Sequence, residues 1–347
     1  MDYKKHLISS DALVKEVLSR LNTLAADAIL FVVDGDNRLM GSLTDGDIRR
    51  GFIKGYTLQT PIVSFLQPNP KYIKRSNYTV AELEDYRQRN LKIIPIVDEQ
   101  NIIIDILNLR IKTSMLPVDA VIMAGGRGER LLPLTENCPK PLLKVGDKPI
   151  IEHNVDRLIK YGIDKITISI RYLGEQIKTF FGDGSSKEVR IEYVEENEPL
   201  GTFGALSLIP EFSSEHVLLM NSDLLTNIDF TDFYLSYISS EADMMIASIP
   251  YQVKIPYAVL QIEKGDVISF DEKPTYSYYS NGGIYLFKRS LLSYLKKGDF
   301  FNATDFMELL ITQKKKVAHY PILGYWLDIG KPQDYAKAQE DIKHINL

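Results

Sequence analysis

At 347 residues the chain has room for two hydrophobic cores, and a net charge of −5 leaves no basic footprint for nucleic acid. No apolar run approaches the roughly eighteen residues that a membrane span requires, and no cationic, apolar leader opens the chain, so a cytoplasmic protein is expected. The single cysteine, Cys138, excludes an internal disulfide; with no candidate base near it in sequence, it is expected to be a passive loop thiol.

From the N-terminus, Ser9, Ser10 and Asp11 can cap a helix whose apolar residues Leu13, Val14, Val17, Leu18, Leu21 and Leu24 recur at helical spacing. Residues 28–33 read as a strand, Asp34-Gly35-Asp36-Asn37 as a hairpin turn and 38–43 as the returning strand. Gly41-Ser42-Leu43-Thr44-Asp45-Gly46-Asp47 comes next and resembles the closing strand and helix start of a cystathionine-β-synthase-type (CBS) motif. The resemblance implies a purine-nucleotide site at Thr44 and Asp47. A carboxylate there can take both ribose hydroxyls while the helix N-terminus faces the phosphates. Equally, Thr44 or Asp45 can serve only as the helix cap.

A second helix (80–90), strand (92–97), turn (98–101) and strand (102–107) resemble another CBS repeat, and the two would pack as one α+β module over residues 1–112. Asp105-Ile106-Leu107-Asn108 replaces the glycine and the Thr-x-x-Asp, so one nucleotide site per chain is expected. CBS modules often pair, so the resemblance is compatible with a homodimer. The stretch from Asn108 to Pro117 reads as a linker to a second domain over 113–347.

That domain alternates strand and helix, which predicts a Rossmann-like α/β fold with a mostly parallel mixed sheet. Its first strand, 118–123, runs into Ala124-Gly125-Gly126-Arg127-Gly128, where glycines let the backbone approach a ligand that any Cβ would strike. Arg127, Arg130 and Lys140 surround the loop with positive charge, so a polyphosphate is the expected guest. A Walker A loop is excluded because no Gly-Lys-Ser/Thr follows, and Leu131 stands where a dinucleotide fingerprint has its third glycine. Gly125-Gly126-x-Gly128-x-Arg130-Leu131-x-Pro133-Leu134-Thr135, with Pro139-Lys140-Pro141-Leu142, resembles the opening motif of sugar-1-phosphate nucleotidyltransferases.

Further blocks follow in the order of that family. Helices are read at 150–161 and 173–181, with strands at 165–170 and 189–194. The loop before Gly201 and Thr202 lies against the nucleotide base in relatives, and Glu196 is the residue chosen to read it, with Glu195 and Glu198 as alternatives in register. A carboxylate only accepts, which suits the N1–H and N2–H donors of guanine. Asp223, just past the strand 216–220, stands where open α/β sheets bind ligands and resembles the family's metal-binding aspartate; alone, a surface turn would explain it. Asp271-Glu272-Lys273-Pro274 and Asn281-Gly282-Gly283 match blocks whose Glu, Lys and Asn reach the sugar and its phosphate. Trp326-Leu327-Asp328-Ile329-Gly330 resembles the block carrying the second metal aspartate and is closest in wording to mannose-1-phosphate guanylyltransferases; a helix over 333–345 closes the chain.

The resemblance implies an enzyme that joins a nucleoside triphosphate, expected to be GTP, to a hexose or amino-sugar 1-phosphate such as mannose-1-phosphate or glucosamine-1-phosphate. The products are an NDP-sugar and pyrophosphate. The acceptor phosphate is already ionised, so positioning and charge neutralisation can carry the reaction without a protein nucleophile. In that scheme Arg130 neutralises the leaving pyrophosphate, Lys140 grips the reacting phosphates, Lys273 seats the acceptor phosphate, and Asp223 and Asp328 hold Mg²⁺. The alternatives are a non-catalytic, nucleotide-sensing regulatory subunit and a phosphocholine-type cytidylyltransferase. The first would be expected to have lost Arg130, Lys140 or an aspartate, and the Glu272 to Asn281 blocks argue against the second.

Overall fold

The computed structural model describes residues 2–345. Its contacts divide the chain into two compact units, Met1–Met115 and Leu116–Leu347, where the sequence placed a boundary between 112 and 113.

The first unit contains β1 (Leu7–Ser9), α1 (Val14–Leu24), β2 (Leu30–Val33), β3 (Leu39–Leu43), α2 (Asp45–Ile53), β4 (Gln67–Pro68), β5 (Ile73–Lys74), α3 (Val80–Gln88), β6 (Ile93–Val97) and β7 (Ile103–Asn108). The same wiring occurs twice. β1 runs parallel to β2, which turns back antiparallel into β3; β5 runs parallel to β6, which turns back into β7. The two repeats share a core in which Phe31 and Val33 pack with Ile93, Val97, Ile103 and Ile106. The expected cap of α1 is a correction. The helix starts at Val14 with Leu13 at its N-cap and no side-chain cap, because Ser9 belongs to β1 and its hydroxyl bonds Asp11 instead. A three-residue strand is too short to show an alternating pattern in sequence.

The second unit contains β8 (Val118–Ala124), β9 (Lys144–Val145), β10 (Lys148–Pro149), α4 (Ile150–Lys160), β11 (Lys165–Ile170), α5 (Gly174–Phe181), β12 (Arg190–Glu195), α6 (Gly201–Gly204), β13 (His216–Asn221) and β14 (Leu224–Thr226). It continues with α7 (Phe230–Ser240), β15 (Met244–Lys254), β16 (Val259–Glu263), β17 (Asp266–Asp271), β18 (Thr275–Lys288), α8 (Ala303–Thr312), β19 (Val317–Pro321), β20 (Trp326–Asp328) and α9 (Pro332–Asp341). Seven strands form one mixed sheet in the order β12-β11-β8-β13-β18-β15-β19, and the first four are mutually parallel. Val121, Val217, Leu219 and Phe287 pack from the sheet against Phe203 and Phe306, all buried. α6 is a single turn, and α9 ends at Asp341 rather than 345, where the bonding tightens to three residues back: the Lys343 and His344 amides donate to the Glu340 and Asp341 carbonyls.

Two features of this sheet position the site. The chain leaves β8 towards β11 and β12 on one side, then crosses to β13 on the other, so the strand order reverses at β8 and opens a crevice there. Beyond the sheet, β15 and β18 continue as a two-stranded ribbon from Ile249/Ser280 to Lys254/Thr275, with the β16–β17 hairpin inserted between them. Among the described residues no helix is long and apolar enough to cross a membrane.

Candidate active site

The glycine loop leaves β8 at the crevice. Gly128 adopts φ +65°, and a Cβ there would sit 2.9 Å from the Lys140 Cβ, so glycine is what lets the loop close over the segment carrying Lys140. Thr135 secures the turn by donating its hydroxyl to the Gly128 carbonyl at 2.9 Å. Lys140 is buried and its ammonium is ion-paired with Asp223. Asp223 reaches this position because β13 pairs in register with β8, Asn221 opposite Met123, and Ser222 donates its amide to the Met123 carbonyl at 3.1 Å.

Asp328 arrives from far along the chain. β14 pairs antiparallel with β20, placing Leu224 opposite Asp328, and the Ile329 amide donates to the Asp223 carbonyl at 3.0 Å. A Cβ on Gly330 would lie 3.3 Å from the Arg130 guanidinium, which places that charge beside the second aspartate block. Met123, Gly126, Gly128, Arg130, Lys140 and Asp223 thus line one cavity of about 550 Å³, together with Arg127, Arg171 and Asn221.

A neighbouring cavity of about 510 Å³ is lined by Ile170, Arg171, Glu195, Glu196 and Asn197. Glu196 is buried; one carboxylate oxygen accepts the Ser169 hydroxyl at 2.7 Å and the other the Leu200 amide at 3.1 Å. A Cβ on Gly125 would lie 2.7 Å from that carboxylate, so the loop runs directly against it. Of the two alternatives, Glu195 is exposed and ion-paired with Lys178, and Glu198 is exposed.

The remaining expected residues are distributed unevenly. Ala124 is buried at the end of β8, and Thr202 is half-buried in the turn of α6. Gly201 faces the Phe301 carbonyl, which a Cβ would approach to 2.7 Å. Asn281 donates to the Tyr285 hydroxyl at 2.8 Å and accepts the Gly283 amide at 3.0 Å, next to Gly282, whose carbonyl takes the Trp326 indole N–H at 2.9 Å. Glu272 and Lys273 are not brought in: both are exposed between β17 and β18, 3.9 Å from one another, and among the described residues neither bonds a cavity residue. Thr44 and Asp47 lie in the first unit as N-cap and N3 of α2. They form a capping box in which Asp47 accepts the Thr44 amide at 2.9 Å and the Arg50 guanidinium at 2.6 Å.

The profile of the nucleotidyl transferase family matches residues 119–345, which include every residue placed above in the two cavities. The chain belongs to the nucleotidyl transferase family. A CBS domain profile matches residues 2–54, the first of the two repeats. A D-glycero-α-D-manno-heptose 1-phosphate guanylyltransferase of Aneurinibacillus thermoaerophilus is 33% identical over 65% of this chain and 99% of its own length. A mannose-1-phosphate guanylyltransferase of Mycobacterium tuberculosis is 30% identical over 65% of this chain, which spans only 64% of that enzyme. Among solved structures, HddC from Yersinia pseudotuberculosis complexed with GMP-PN matches with a TM-score of 0.51 and 25% identity, over 65% of this chain and 99% of its own.

The transferase site is electrostatically incomplete. Asp223 and Asp328 each bury one carboxylate oxygen, Oδ1, without a hydrogen-bond partner. Burial raises the Asp328 carboxyl above its ordinary range, and the negative charge of Asp223 raises it further, against the opposing charges of Lys140 and Arg130. Paired buried carboxylate oxygens without donors are suited to a hard divalent cation, so the residues present fit Mg²⁺.

Sequence reasoning missed Arg171. It follows β11 directly, at the same C-terminal edge as the glycine loop, and it borders both cavities. The edge rule that singled out Asp223 would have found it.

Proposed function

We propose that the second unit transfers a nucleotidyl group from GTP to a sugar 1-phosphate, releasing pyrophosphate. The observation that carries this reading is the single cavity where a glycine loop, Arg130, Lys140 and Asp223 meet, with Asp328 held beside Asp223 by the β14–β20 pair. Loop amides and Arg130 would hold the β- and γ-phosphates as they leave. Lys140, fixed by Asp223, would hold the reacting phosphate where negative charge grows. Asp223 and Asp328 would hold Mg²⁺, which supplies charge neutralisation and orientation of the phosphate oxygens. The acceptor's own phosphate oxygen attacks the α-phosphorus, so the chain supplies position and charge rather than a base.

Buried Glu196, already oriented by Ser169 and Leu200, is the proposed guanine reader. The guanylyltransferase names of the relatives support this choice, and they make heptose and mannose 1-phosphates the first acceptors to try beside glucosamine-1-phosphate. A matrix of four NTPs against these acceptors, read as pyrophosphate release from full-length protein, tests the proposal. GTP with at least one sugar 1-phosphate should give the fastest release. No release with any pair would overturn it in favour of a non-catalytic sensor, and preferential use of UTP or dTTP would remove the base assignment.

The first unit is proposed to tune this reaction by binding a purine nucleotide at Thr44 and Asp47. Ribose hydroxyls would compete with Arg50 for the Asp47 carboxylate, so Arg50→Ala should tighten binding in calorimetry on the full chain. Absence of purine-nucleotide binding attributable to Asp47 would discard the regulation.

A further inference from the structure

Arg171 is an unspent cation in a crowded place. Glu195 and Glu196 line the same cavity, yet neither pairs with it: Glu195 is ion-paired with Lys178, and Glu196 accepts one donor on each oxygen, from Ser169 and Leu200, which leaves a second acceptor site on each. Among the described residues its guanidinium makes no hydrogen bond or ion pair, although the side chain is only half-exposed. Its Cβ lies 3.4 Å from where a Gly125 Cβ would be, and the Glu196 carboxylate lies 2.7 Å from the same point. The stem of Arg171 and the carboxylate of Glu196 therefore flank one glycine of the phosphate loop.

Guanine presents matching groups along adjacent edges: N1–H and N2–H donate, while O6 and N7 accept. A carboxylate suits the first pair and a guanidinium the second. We infer that Arg171 is a specificity-determining contact that reads O6 and N7 of guanine while Glu196 reads N1 and N2. This rests on the transferase reading for its role in the reaction, although the base contact itself needs only binding. Adenine in the same seat would turn its N6–H donors towards the guanidinium and its N1 lone pair towards the carboxylate, leaving both unpaired. Arg171 borders the glycine-loop cavity as well, so one side chain adjoins both the proposed seat for the base and that for the phosphates.

Equilibrium binding of GTP, ATP and 7-deaza-GTP to the full chain separates the possibilities without requiring turnover. The native protein should bind GTP about tenfold or more tightly than 7-deaza-GTP, which lacks the N7 acceptor. Arg171→Ala should weaken GTP by roughly tenfold to a hundredfold and erase that difference, while ATP affinity stays nearly the same. Arg171→Lys keeps the charge without the fork and should also lose the N7 discrimination. An equal loss for all three nucleotides in Arg171→Ala would identify a phosphate clamp and overturn the inference, as would an unchanged GTP preference or no GTP binding by the native protein. GTP binding with this pattern but without pyrophosphate release would uphold Arg171 and defeat the transferase reading instead.

Discussion

Asp47 in the first unit and Asp223 in the second both stand just past a strand, yet their carboxylates meet opposite surroundings. Asp47 is saturated: one oxygen takes the Thr44 amide and hydroxyl, and the other the Arg50 guanidinium. Asp223 spends one oxygen on Lys140 and leaves the other buried without a donor, and Asp328, whose carboxyl feels the Asp223 charge, has an equally orphaned Oδ1. A saturated carboxylate holds its own helix in place. A buried oxygen without a partner costs stability in the free protein and becomes favourable only when something else arrives. The same residue type after the same kind of element therefore has its bonds filled within its own helix in one unit and one oxygen left without a donor in the other.

Removing the orphaned carboxylates tests this contrast hardest. Asp223→Asn and Asp328→Asn should each lower pyrophosphate release by about 10²-fold or more, since a catalytic cation would lose a ligand. Asp328→Asn should do so without lowering the melting temperature, because it removes a buried charge that Asp223 repels. A large thermal loss in Asp328→Asn with turnover intact would reverse the contrast.

The cations come next. Arg130→Ala and Lys140→Ala should depress kcat by roughly 10² while changing the KM for GTP less, because both charges matter most as the phosphate charge shifts. A rise in KM alone would make them ground-state binders.

A smaller effect is expected at Gly125. A methyl there would meet the Glu196 carboxylate at 2.7 Å, so Gly125→Ala should displace that side chain and raise the KM for GTP by about tenfold. GTP kinetics like the native enzyme's would show that Glu196 does not touch the base. The capping box in the first unit should give the smallest signal. Thr44→Ala or Asp47→Asn should cost about 1 kcal/mol in denaturant unfolding, as loss of a helix cap does. No measurable cost would leave the saturated bonding of Asp47 without a structural purpose.

Sequence by itself determined what is local in this protein. The glycine loop with Arg130, the Pro139-Lys140 segment, the two helix-strand-strand patterns and the strand ending before Asp223 were legible because backbone freedom, charge and apolar spacing act over a few residues. Tertiary structure decided which of these residues meet. Lys140 pairs with Asp223 only because β13 takes its register from β8, and Asp328 reaches Asp223 only because β20 pairs with β14 across a long intervening stretch. Which of Glu195, Glu196 and Glu198 turns inward was open in sequence; in the fold the Glu196 amide bonds the Ile170 carbonyl and its side chain is buried, while the other two are exposed. Arg171 showed no motif at all; it borders both cavities while the nearby Glu195 is already ion-paired with Lys178. Glu272 and Lys273 mark the opposite case, a recognisable block whose side chains remain apart from the cavity, because the ribbon carrying them runs beyond the sheet. Partner choice between distant residues depends on strand pairing and on which hydrogen bonds are already taken, and neither quantity is written in a residue's local neighbourhood.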